Sequence, residues 1–402
     1  MPSSALSRPG DGRRLMVISH PAVVSVNQEV YLELQRRGWQ IAIVVPDRWR
    51  HEYAATDVAP QALDGLQGAL RPTRMALPGR AQRHFYLARC GAICARERPD
   101  VAFVEAESFS FSAAQWSRVL TRANVPFGVQ CAENIDRALP LPVRWMRGRV
   151  LRRSAFVAAR SDTAVRLARA WGATGDVAFA PHAVPGWETE QAGPPSASGQ
   201  PNPRPFTVGY AGRLVPSKGL ADLLAAVRQL DAPVELVLIG DGELRAQLEG
   251  QSIPGSKVRV VDGLSHEQMA AGYAQMDVLA LPSRTTPTWK EQFGRVIVEA
   301  LWCGVPVVGS DSGEIPWLIE LTGGGLTFPE GQPQLLAKQL RALREDPELG
   351  ARLANTGRAA VERLFTVPAA TDPLERMLTD AVRSRQPAAH TARGGAPPSP
   401  AS

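Results

Sequence analysis

The sequence predicts an α/β protein made of two domains, each built on a parallel sheet. Its 402 residues exceed one ordinary hydrophobic core and fit two domains of about 180 residues each. Strand-sized apolar segments alternate with amphipathic helical segments along both halves. Such alternation implies parallel sheets covered on both faces, with ligands at the carboxyl ends of the strands. A stretch rich in Pro, Gly and Ser at 186–205 separates the halves as a linker.

The composition is that of a globular protein without a membrane-spanning segment. Hydrophobic residues make up 44% of the chain, enough for globular domains. No apolar run approaches the roughly 18 residues that span a bilayer, and the segment at 15–18 is strand-sized rather than a signal-peptide core. We therefore expect a cytoplasmic protein.

Neither cysteines nor acidic motifs predict a metal site. Cys131 and Cys303 stand alone, while Cys90 and Cys94 have helical spacing without partner histidines and fit two small core-facing residues. No Asp-x-Asp occurs, a short acidic arrangement that could hold Mg²⁺. We expect no disulfide, no metal and no other cofactor.

Positive charge is concentrated in the first half. Residues 1–200 hold 25 arginines, no lysine and 17 acidic residues, whereas the chain as a whole has a net charge of +6. A basic half attracts nucleic acid, anionic lipid or anionic substrates. An arginine-rich chain encoded by a GC-rich genome would have a similar composition. Nucleic acid is the least favoured partner because no stacking platform is interleaved with the arginines.

The first half begins with a β-α-β pattern and continues as alternating elements. Residues 47–78 are irregular. The predicted strands lie at 15–18, 41–45, 101–104, 127–130, 156–158 and 177–180, and the predicted helices at 27–37, 80–98, 109–120, 142–156 and 162–171. Polar loops are expected after two of these strands, at 105–107 and 131–136.

The helix predicted at 142–156 is unusually basic. It carries five arginines interleaved with apolar residues, and these are Arg144, Arg147, Arg149, Arg152 and Arg153. A basic amphipathic helix suits a membrane surface with anionic lipid. The alternative is a helix that covers the sheet and keeps a solvated basic outer face. Both interpretations stay open.

The second half contains a candidate anion site at 289–306. A helix beginning near Gly294 offers unpaired backbone N–H groups and its positive dipole end to a phosphate. Glu291 and Glu299 are eight residues apart, or about 12 Å along a helix axis. One carboxylate could hold a sugar's hydroxyls and the other a ribose, with a diphosphate between them. Two solvated glutamates on an amphipathic helix are the alternative.

A second candidate stretch lies upstream, at 209–220. The strand predicted at 206–209 is followed by Gly212, Arg213 and Lys218 in a loop that leads into a helix. Two cations at a strand's carboxyl end suit a leaving diphosphate. A solvated basic pair is the alternative. The other strands of this half are predicted at 235–239, 258–260, 277–281, 305–309 and 326–328.

Together these stretches resemble a known family. The series GRLVPSKG, LIGDGEL, EQFGRVIVEA and CGVPVVGSDSGEIPWLI is similar to the retaining glycosyltransferases of family 4, specifically over 206–320 and only in architecture before that. The resemblance implies the GT-B fold, in which two Rossmann-like domains face each other across a cleft and a C-terminal helix crosses back to the first. We expect an acceptor domain at 13–185, a donor domain at 206–365, a crossover helix at 366–385, and disordered ends at 1–12 and 386–402.

The resemblance also implies roles for individual residues. Glu299 should bind the donor ribose and Glu291 a hydroxyl of the transferred sugar, while Arg213 and Lys218 bind the diphosphate; Arg213, Lys218 and Glu291 form the catalytic set. The remaining donor-binding residues are Gly212, Gly240, Asp241, Gly242, Phe293, Gly294, Arg295 and Val296. Glu314 should cap its helix or touch the donor sugar.

The first half departs from the family in two places. Its first loop, HPAVVSVNQE, lacks the usual pair of glycines, so a phosphate contact from this loop is doubtful. The family's acceptor-side histidine is also missing. Glu133 and Asn134 are the nearest residues, and Glu133 either serves the acceptor or caps the next helix.

The implied activity is transfer of a hexose, with retention, from a nucleoside diphosphate sugar to a hydroxyl of a glycan or lipid-linked glycan, without a metal. It would act in cell-surface polysaccharide or glycolipid synthesis, in the cytoplasm or at the inner membrane face. Two alternatives remain: a non-catalytic sugar-nucleotide-binding component of a polysaccharide assembly complex, and a sugar-nucleotide 2-epimerase. A glycan phosphorylase is disfavoured because none of the four lysines has a pyridoxal phosphate motif.

Overall fold

The computed structural model describes residues 12–50, 57–187 and 204–385. The predictions of disorder at 1–12 and 386–402 therefore fall outside the described residues, apart from Gly12, as does most of the predicted linker at 186–205.

The first half of the chain forms a seven-stranded parallel sheet. Its strands are β1 (Arg14–Ser19), β2 (Gln40–Pro46), β5 (Leu70–Thr73), β8 (Val101–Glu107), β9 (Phe127–Cys131), β10 (Phe156–Ala159) and β11 (Asp176–Phe179), in the order β11-β10-β9-β8-β1-β2-β5. Two short antiparallel pairs lie outside it, β3 (Trp49–Arg50) with β4 (Asp57–Val58) and β6 (Met75–Ala76) with β7 (Phe85–Tyr86). The helices are α1 (Glu29–Arg36), α2 (Cys90–Glu97), α3 (Phe111–Arg122), α4 (Leu141–Leu151) and α5 (Asp162–Ala170).

The prediction of a helix at 80–98 is wrong over the first half of that range. Burial there alternates with period two, with His84 and Tyr86 inward and Phe85 and Leu87 outward. That is the pattern of a strand, and β7 pairs with β6 across a turn in which Leu77 has a positive φ of 57°. Only α2 is helical. The irregular segment predicted at 47–78 contains β5, which pairs with β2 at the edge of the sheet.

The loop predicted at 105–107 is also wrong, because β8 continues through these residues. Glu105 stays in register with Ser19 of β1, and the pairing with β9 shifts between Val104 and Glu107, as at a bulge. Glu105 and Glu107 are consequently buried at the carboxyl edge of the sheet.

The second half forms a six-stranded parallel sheet in which all six predicted strands are present. They are β12 (Phe206–Ala211), β13 (Val234–Ile239), β14 (Lys257–Val261), β15 (Val278–Leu281), β16 (Val307–Ser310) and β17 (Gly325–Phe328), in the order β14-β13-β12-β15-β16-β17. The helices are α6 (Leu220–Val227), α7 (Arg245–Glu249), α8 (His266–Tyr273), α9 (Arg295–Trp302), α10 (Ile315–Thr322), α11 (Pro333–Glu345) and α12 (Pro347–Leu364).

Strand order reverses beside the first strand of each sheet. β1 lies between β2 and β8, and β12 lies between β13 and β15. At such a switch point neighbouring loops diverge and leave a crevice at the carboxyl ends of the strands. The loops that follow β1 and β12 therefore border the natural binding crevices of the two sheets.

A last helix joins the two halves. α13 (Val367–Arg385) packs on α1 and on the first sheet, and its Leu374, Met377 and Leu378 belong to the first hydrophobic core. Arg37 of α1 pairs with Asp372 at 2.7 Å and with Glu375 at 2.9 Å. The predicted return of the C-terminal helix to the first domain is confirmed.

Candidate functional site

Two of the predicted catalytic residues meet in a buried ion pair. Lys218 ends the 3-10 turn Pro216–Lys218 after β12, and Glu291 precedes α9. Lys218 Nζ lies 2.6 Å from Glu291 Oε2, and both side chains are only about a tenth exposed, at 12% and 11%. Ser283 Oγ donates to the same carboxylate oxygen at 2.9 Å, and the ammonium sits 4.7 Å from the centroid of the Trp289 ring. The loops after β12 and β15 thus hold one cation and one carboxylate at a fixed point.

The backbone of Glu291 is held from two sides. Its carbonyl oxygen accepts hydrogen bonds from Glu314 N at 3.0 Å and from Asn134 Nδ2 at 2.7 Å. Gly313 passes so close, at a φ of +59°, that a Cβ there would lie 2.0 Å from this oxygen. Glu314 occupies the N-cap position of α10, as predicted, but its buried side chain makes no capping hydrogen bond.

The amino end of α9 faces the space between the domains. Gly294 is its N-cap, with a left-handed φ of 69°, and Arg295 and Val296 open the first turn. Phe293 is buried against His182, with ring centroids 5.5 Å apart, and against Phe365 at 6.1 Å. These contacts fix the direction of the helix end, where backbone N–H groups attract an anion.

Glu299 is buried on the same helix. Its Oε2 accepts a 2.8 Å hydrogen bond from the Tyr273 hydroxyl, and its Oε1 lies 2.9 Å from Arg295 Nε. Burial raises the pKa of Glu299, opposed by the positive charge of Arg295. The pKa of Tyr273 is raised well above its usual range. Burial is the main cause, and the negative charge of Glu299 is the second. The spacing of Arg295 and Glu299 is readable in the sequence, whereas Tyr273 on α8 carries no such signal.

The predicted glycines build two interlocked loops after β12 and β13. Gly212 N donates to Ile239 O at 3.0 Å, and Leu214 N donates to Asp241 O at 2.8 Å. Gly240, at φ +148°, approaches so closely that a Cβ would meet Gly212 O at 1.9 Å. Gly240 is therefore required by backbone packing, independently of any ligand.

Two side chains of these loops differ in their surroundings. The Asp241 carboxylate is exposed and accepts a 2.8 Å hydrogen bond from Gly242 N. Arg213 is half-buried in the same loop as Lys218, and its carbonyl accepts a 2.6 Å hydrogen bond from the Tyr210 hydroxyl.

The two residues predicted for the acceptor side, Glu133 and Asn134, differ in their contacts. Glu133 Oε1 accepts from the backbone N–H groups of Asn134 at 3.1 Å and Ile135 at 3.2 Å, and Oε2 pairs with Arg137 at 2.9 Å. Its carboxylate thus stabilises its own turn and does not cap α4. Asn134 instead reaches across to Glu291, which links the first domain to the predicted sugar-binding residue.

A small pocket lined mostly by the first domain and α13 reaches the amino end of α9 at Arg295. Glu29, Arg160, His182 and Arg295 contribute to its walls. Burial lowers the pKa of His182 well below its usual range, assisted by the positive charges of Arg160 and Arg295, so its imidazole is neutral. Burial raises the pKa of Glu29, whose Oε1 accepts from Gly186 N at 3.1 Å. Arg295 was predicted as a donor-binding residue, whereas Glu29, Arg160 and His182 were not predicted as site residues.

A buried hydrogen-bond network around Glu105 forms part of the pocket wall. Glu105 accepts hydrogen bonds from Ser19 Oγ and the Tyr31 hydroxyl, each at 2.6 Å, and pairs with Arg160 at 3.1 Å. Nearby, Glu107 accepts from Ala132 N at 2.6 Å, and burial raises its pKa to about 8. A protonated acid therefore lies at the carboxyl end of β8 at neutral pH.

Within the described ranges, no group of three or more His, Cys, Asp and Glu side chains is arranged to hold a metal ion. The four cysteines are buried and free. In the same ranges, none of the helices is long and apolar enough to cross a membrane. The absence of a metal requirement stays a prediction.

Comparison with known proteins places the match in the second domain. Residues 196–360 match the family model of glycosyl transferases group 1. A D-inositol 3-phosphate glycosyltransferase of Jonesia denitrificans is 33% identical over 179 residues, which is 41% of each chain. The amylovoran biosynthesis glycosyltransferase AmsK of Erwinia amylovora is 31% identical over 169 residues, 40% of this chain and 42% of that protein. The aligned segment thus spans about two fifths of these relatives.

Solved structures match nearly the whole chain. Sucrose-phosphate synthase from Thermosynechococcus elongatus superimposes with a TM-score of 0.68 and 17% identity, over 92% of this chain and 100% of that one. Anabaena HepE in complex with UDP-glucose gives a TM-score of 0.64 and 18% identity, over 91% and 99%. The chain therefore has the GT-B fold predicted from its sequence, and its second domain carries the match to glycosyl transferases group 1.

Proposed function

We propose that this protein is a retaining, metal-independent glycosyltransferase. It moves a hexose from a nucleoside diphosphate sugar to a hydroxyl of a glycan or lipid-linked glycan, in cell-surface polysaccharide or glycolipid synthesis at the inner face of the cell membrane. The observation that carries the proposal is the buried Lys218–Glu291 pair beside the amino end of α9. A cation, a carboxylate and a helix N-terminus are what a sugar diphosphate needs for charge balance and orientation.

Donor binding follows from the order of these groups. The diphosphate lies against the N–H groups of Gly294, Arg295 and Val296, with Lys218 and Arg213 as its cations. Glu291 then accepts a hydroxyl of the hexose. Glu299 takes the ribose, which requires its contact with Arg295 to give way or to be shared.

The bond to the leaving group breaks as negative charge grows on the diphosphate. Lys218, Arg213 and the helix dipole stabilise that charge, while an oxocarbenium-like sugar forms. The acceptor hydroxyl attacks from the side of the leaving group and passes its proton to a diphosphate oxygen, so the anomeric configuration is kept. Closure of the cleft excludes water and disfavours hydrolysis.

Two alternatives share this architecture. A non-catalytic component of an assembly complex would bind sugar nucleotide without turnover, and the presence of Arg213, Lys218 and Glu291 argues against it. A 2-epimerase would turn over UDP-GlcNAc without any acceptor.

The test is turnover of UDP-, GDP-, ADP- and dTDP-hexoses with a panel of inositol phosphates and lipid-linked sugars. We expect acceptor-dependent release of the nucleoside diphosphate, unchanged by EDTA, and a product whose anomeric configuration by NMR equals that of the donor. Lys218→Met should lower kcat by about 100-fold, as loss of one transition-state cation does. Lys257→Met, at an exposed lysine that begins β14, is the matched control.

Each other outcome has a distinct meaning. An inverted product contradicts retention, and turnover without an acceptor supports the epimerase. Donor binding without turnover by any acceptor supports the non-catalytic component.

A further inference from the structure

The exposed apolar side chains of this protein are concentrated on one part of the first domain. Among the described residues, the large hydrophobic side chains that are exposed all fall between positions 77 and 145. They are Leu77 at 49%, Phe85 at 37%, Leu87 at 54%, Phe111 at 44%, Leu141 at 76% and Trp145 at 59% exposed. We refer to these six as the exposed apolar face. Scattered single apolar residues are ordinary on a protein surface, but six from neighbouring elements indicate an interaction site.

The elements that carry these side chains are in contact with one another. The Gln115 side chain of α3 exchanges two 2.8 Å hydrogen bonds with the backbone of Tyr86 in β7. Phe111 N donates to Gln82 O at 3.1 Å, which holds the start of α3 against the turn of the β6–β7 hairpin. α4, which carries Leu141 and Trp145, packs alongside α3. The exposed apolar face is therefore carried by three adjacent elements, a hairpin and two helices.

Positive charge surrounds this surface without any acid in the same segments. Residues 74–96 contain five arginines and no acidic residue, and residues 137–161 contain seven arginines and none. Arg74, Arg80, Arg83, Arg89 and Arg144 are exposed. The Arg149 guanidinium lies 5.3 Å from the Trp145 ring centroid, as arginine and tryptophan pair at wet interfaces.

The arginines of α4 differ in their surroundings. Arg147 is buried, with its guanidinium 4.1 Å from the Trp171 ring centroid and 3.9 Å from Asp136. Leu141 and Trp145, four residues apart, point outward. The surface thus depends as much on apolar anchors as on charge, and it extends well beyond α4.

We infer that the exposed apolar face docks on a lipid bilayer that contains anionic lipid. Its aromatic and aliphatic side chains enter the interfacial region while the surrounding arginines contact anionic headgroups. Charge complementarity selects this occupant, because a second copy of the chain would bring the same arginines face to face.

The position of the face gives the docking a consequence for the reaction. α3 follows β8 and α4 follows β9, so both helices leave the strand edge at which Asn134 contacts the second domain. A docked protein would hold that edge close to the membrane. This step rests on the proposed function and favours an acceptor whose lipid stays in the bilayer.

Cosedimentation of the full chain with vesicles tests the docking. We expect binding to phosphatidylcholine vesicles that contain phosphatidylglycerol, weak binding to phosphatidylcholine alone, and weakening with added salt. Trp145→Ser should weaken vesicle binding about tenfold and Arg144→Ser about fivefold. Leu87→Ser tests whether the β6–β7 hairpin also contacts the bilayer. Arg166→Ser, at an arginine of α5 that is 69% exposed, is the matched control and should bind normally.

Thermal unfolding and a nucleotide thermal shift on each variant separate this inference from the proposed donor site. Lost vesicle binding with an intact nucleotide shift supports docking. Equal binding by wild type, Trp145→Ser and Leu87→Ser would overturn it, as would failure of the wild type to bind anionic vesicles. A dimer in ultracentrifugation that Trp145→Ser dissociates would also overturn it, since the face would then be a contact between copies.

Discussion

Lys218 and Glu291 show why the charged residues of this site had to be buried together. An isolated charge in a position that is about nine-tenths covered would be strongly disfavoured, whereas the 2.6 Å pair with Ser283 as an added donor satisfies both partners. An incoming diphosphate can therefore share a lysine that is already desolvated and oriented. Glu291 keeps Ser283 as a partner while this happens.

Glu107 is predicted to make stability depend on pH. Its pKa is raised to about 8 in the folded protein, above the ordinary 4.5, so the folded state binds one more proton than the unfolded state between these values. The free energy of unfolding should therefore fall with rising pH across that window, by up to about 1.4 kcal/mol per pH unit from this group. Glu107→Gln should flatten the slope in urea unfolding between pH 5 and 8.

Glu97→Gln is the matched control for that measurement. The pKa of Glu97 is lowered by Arg71 and Arg96 against a burial effect, so its contribution is complete above the ordinary pKa and is lost only in acid. This variant should shift stability evenly between pH 5 and 8 without changing the slope. An unchanged slope in Glu107→Gln would show that the carboxyl is ionised in the folded protein.

At the scale of single residues, sequence patterns predicted which residues belong to the candidate site but not which residues they contact. The spacing of Glu291 and Glu299 and the pair Arg213 and Lys218 were readable because each lies next to a strand or helix end. The contacts of Glu299 with Tyr273 and of Glu291 with Asn134 could not be predicted, since the partners are 26 and 157 residues apart in the sequence.

The helix α9 is the element on which the proposed donor site depends. Its N-cap, Gly294, has a φ of +69°, and an added Cβ would lie 3.0 Å from Ile297 Cδ1. Gly294→Ala should cost about 1 kcal/mol in stability and move the N–H groups of the first turn. We expect a nucleoside diphosphate to bind about fivefold more weakly by calorimetry.

Gly91→Ala is the control for this substitution. Gly91 lies in α2 with nothing within 4 Å of an added Cβ, so the change should leave stability equal or slightly higher. If Gly294→Ala matched this control in both melting temperature and nucleotide affinity, the helix end would not be the anion site.

At the scale of elements, the two halves differed in how well the sequence predicted them. All six strands of the second sheet were predicted because short apolar runs are separated by clear glycine and proline turns. The strand β7 was mistaken for part of the helix predicted at 80–98, since its apolar residues also fit a helical pattern. Phe85 and Leu87 are exposed, and only the tertiary contact with α3 explains their period-two pattern.

At the scale of the whole molecule, Asn134 makes one of the contacts between the two domains. Its Nδ2 donates to the Glu291 carbonyl at 2.7 Å, between residues of different domains. Asn134→Ala should lower kcat/KM by about three- to tenfold, as loss of one buried hydrogen bond does. Asn134→Asp should do at least as much, because a carboxylate cannot donate to a carbonyl.

Small-angle scattering with and without donor provides the structural measurement for the same variants. A weaker compaction on donor binding is expected for Asn134→Ala than for the wild type. Gln35→Ala, which removes an amide contact to Gly65 O within the first domain, should behave like the wild type. Normal rates and normal compaction in Asn134→Ala would mean that this bond does not couple the domains.

The central claim is that the second domain binds a nucleoside diphosphate sugar through Glu299 and the amino end of α9. The most direct test is a thermal-shift panel of UDP, GDP, ADP and dTDP with their common sugar forms, with and without EDTA. Wild type should be stabilised selectively by one base, the shift should survive EDTA, and Glu299→Ala should abolish it while Glu267→Ala, at an exposed glutamate of α8, retains it. The absence of a shift with every nucleotide in the wild type would contradict the account.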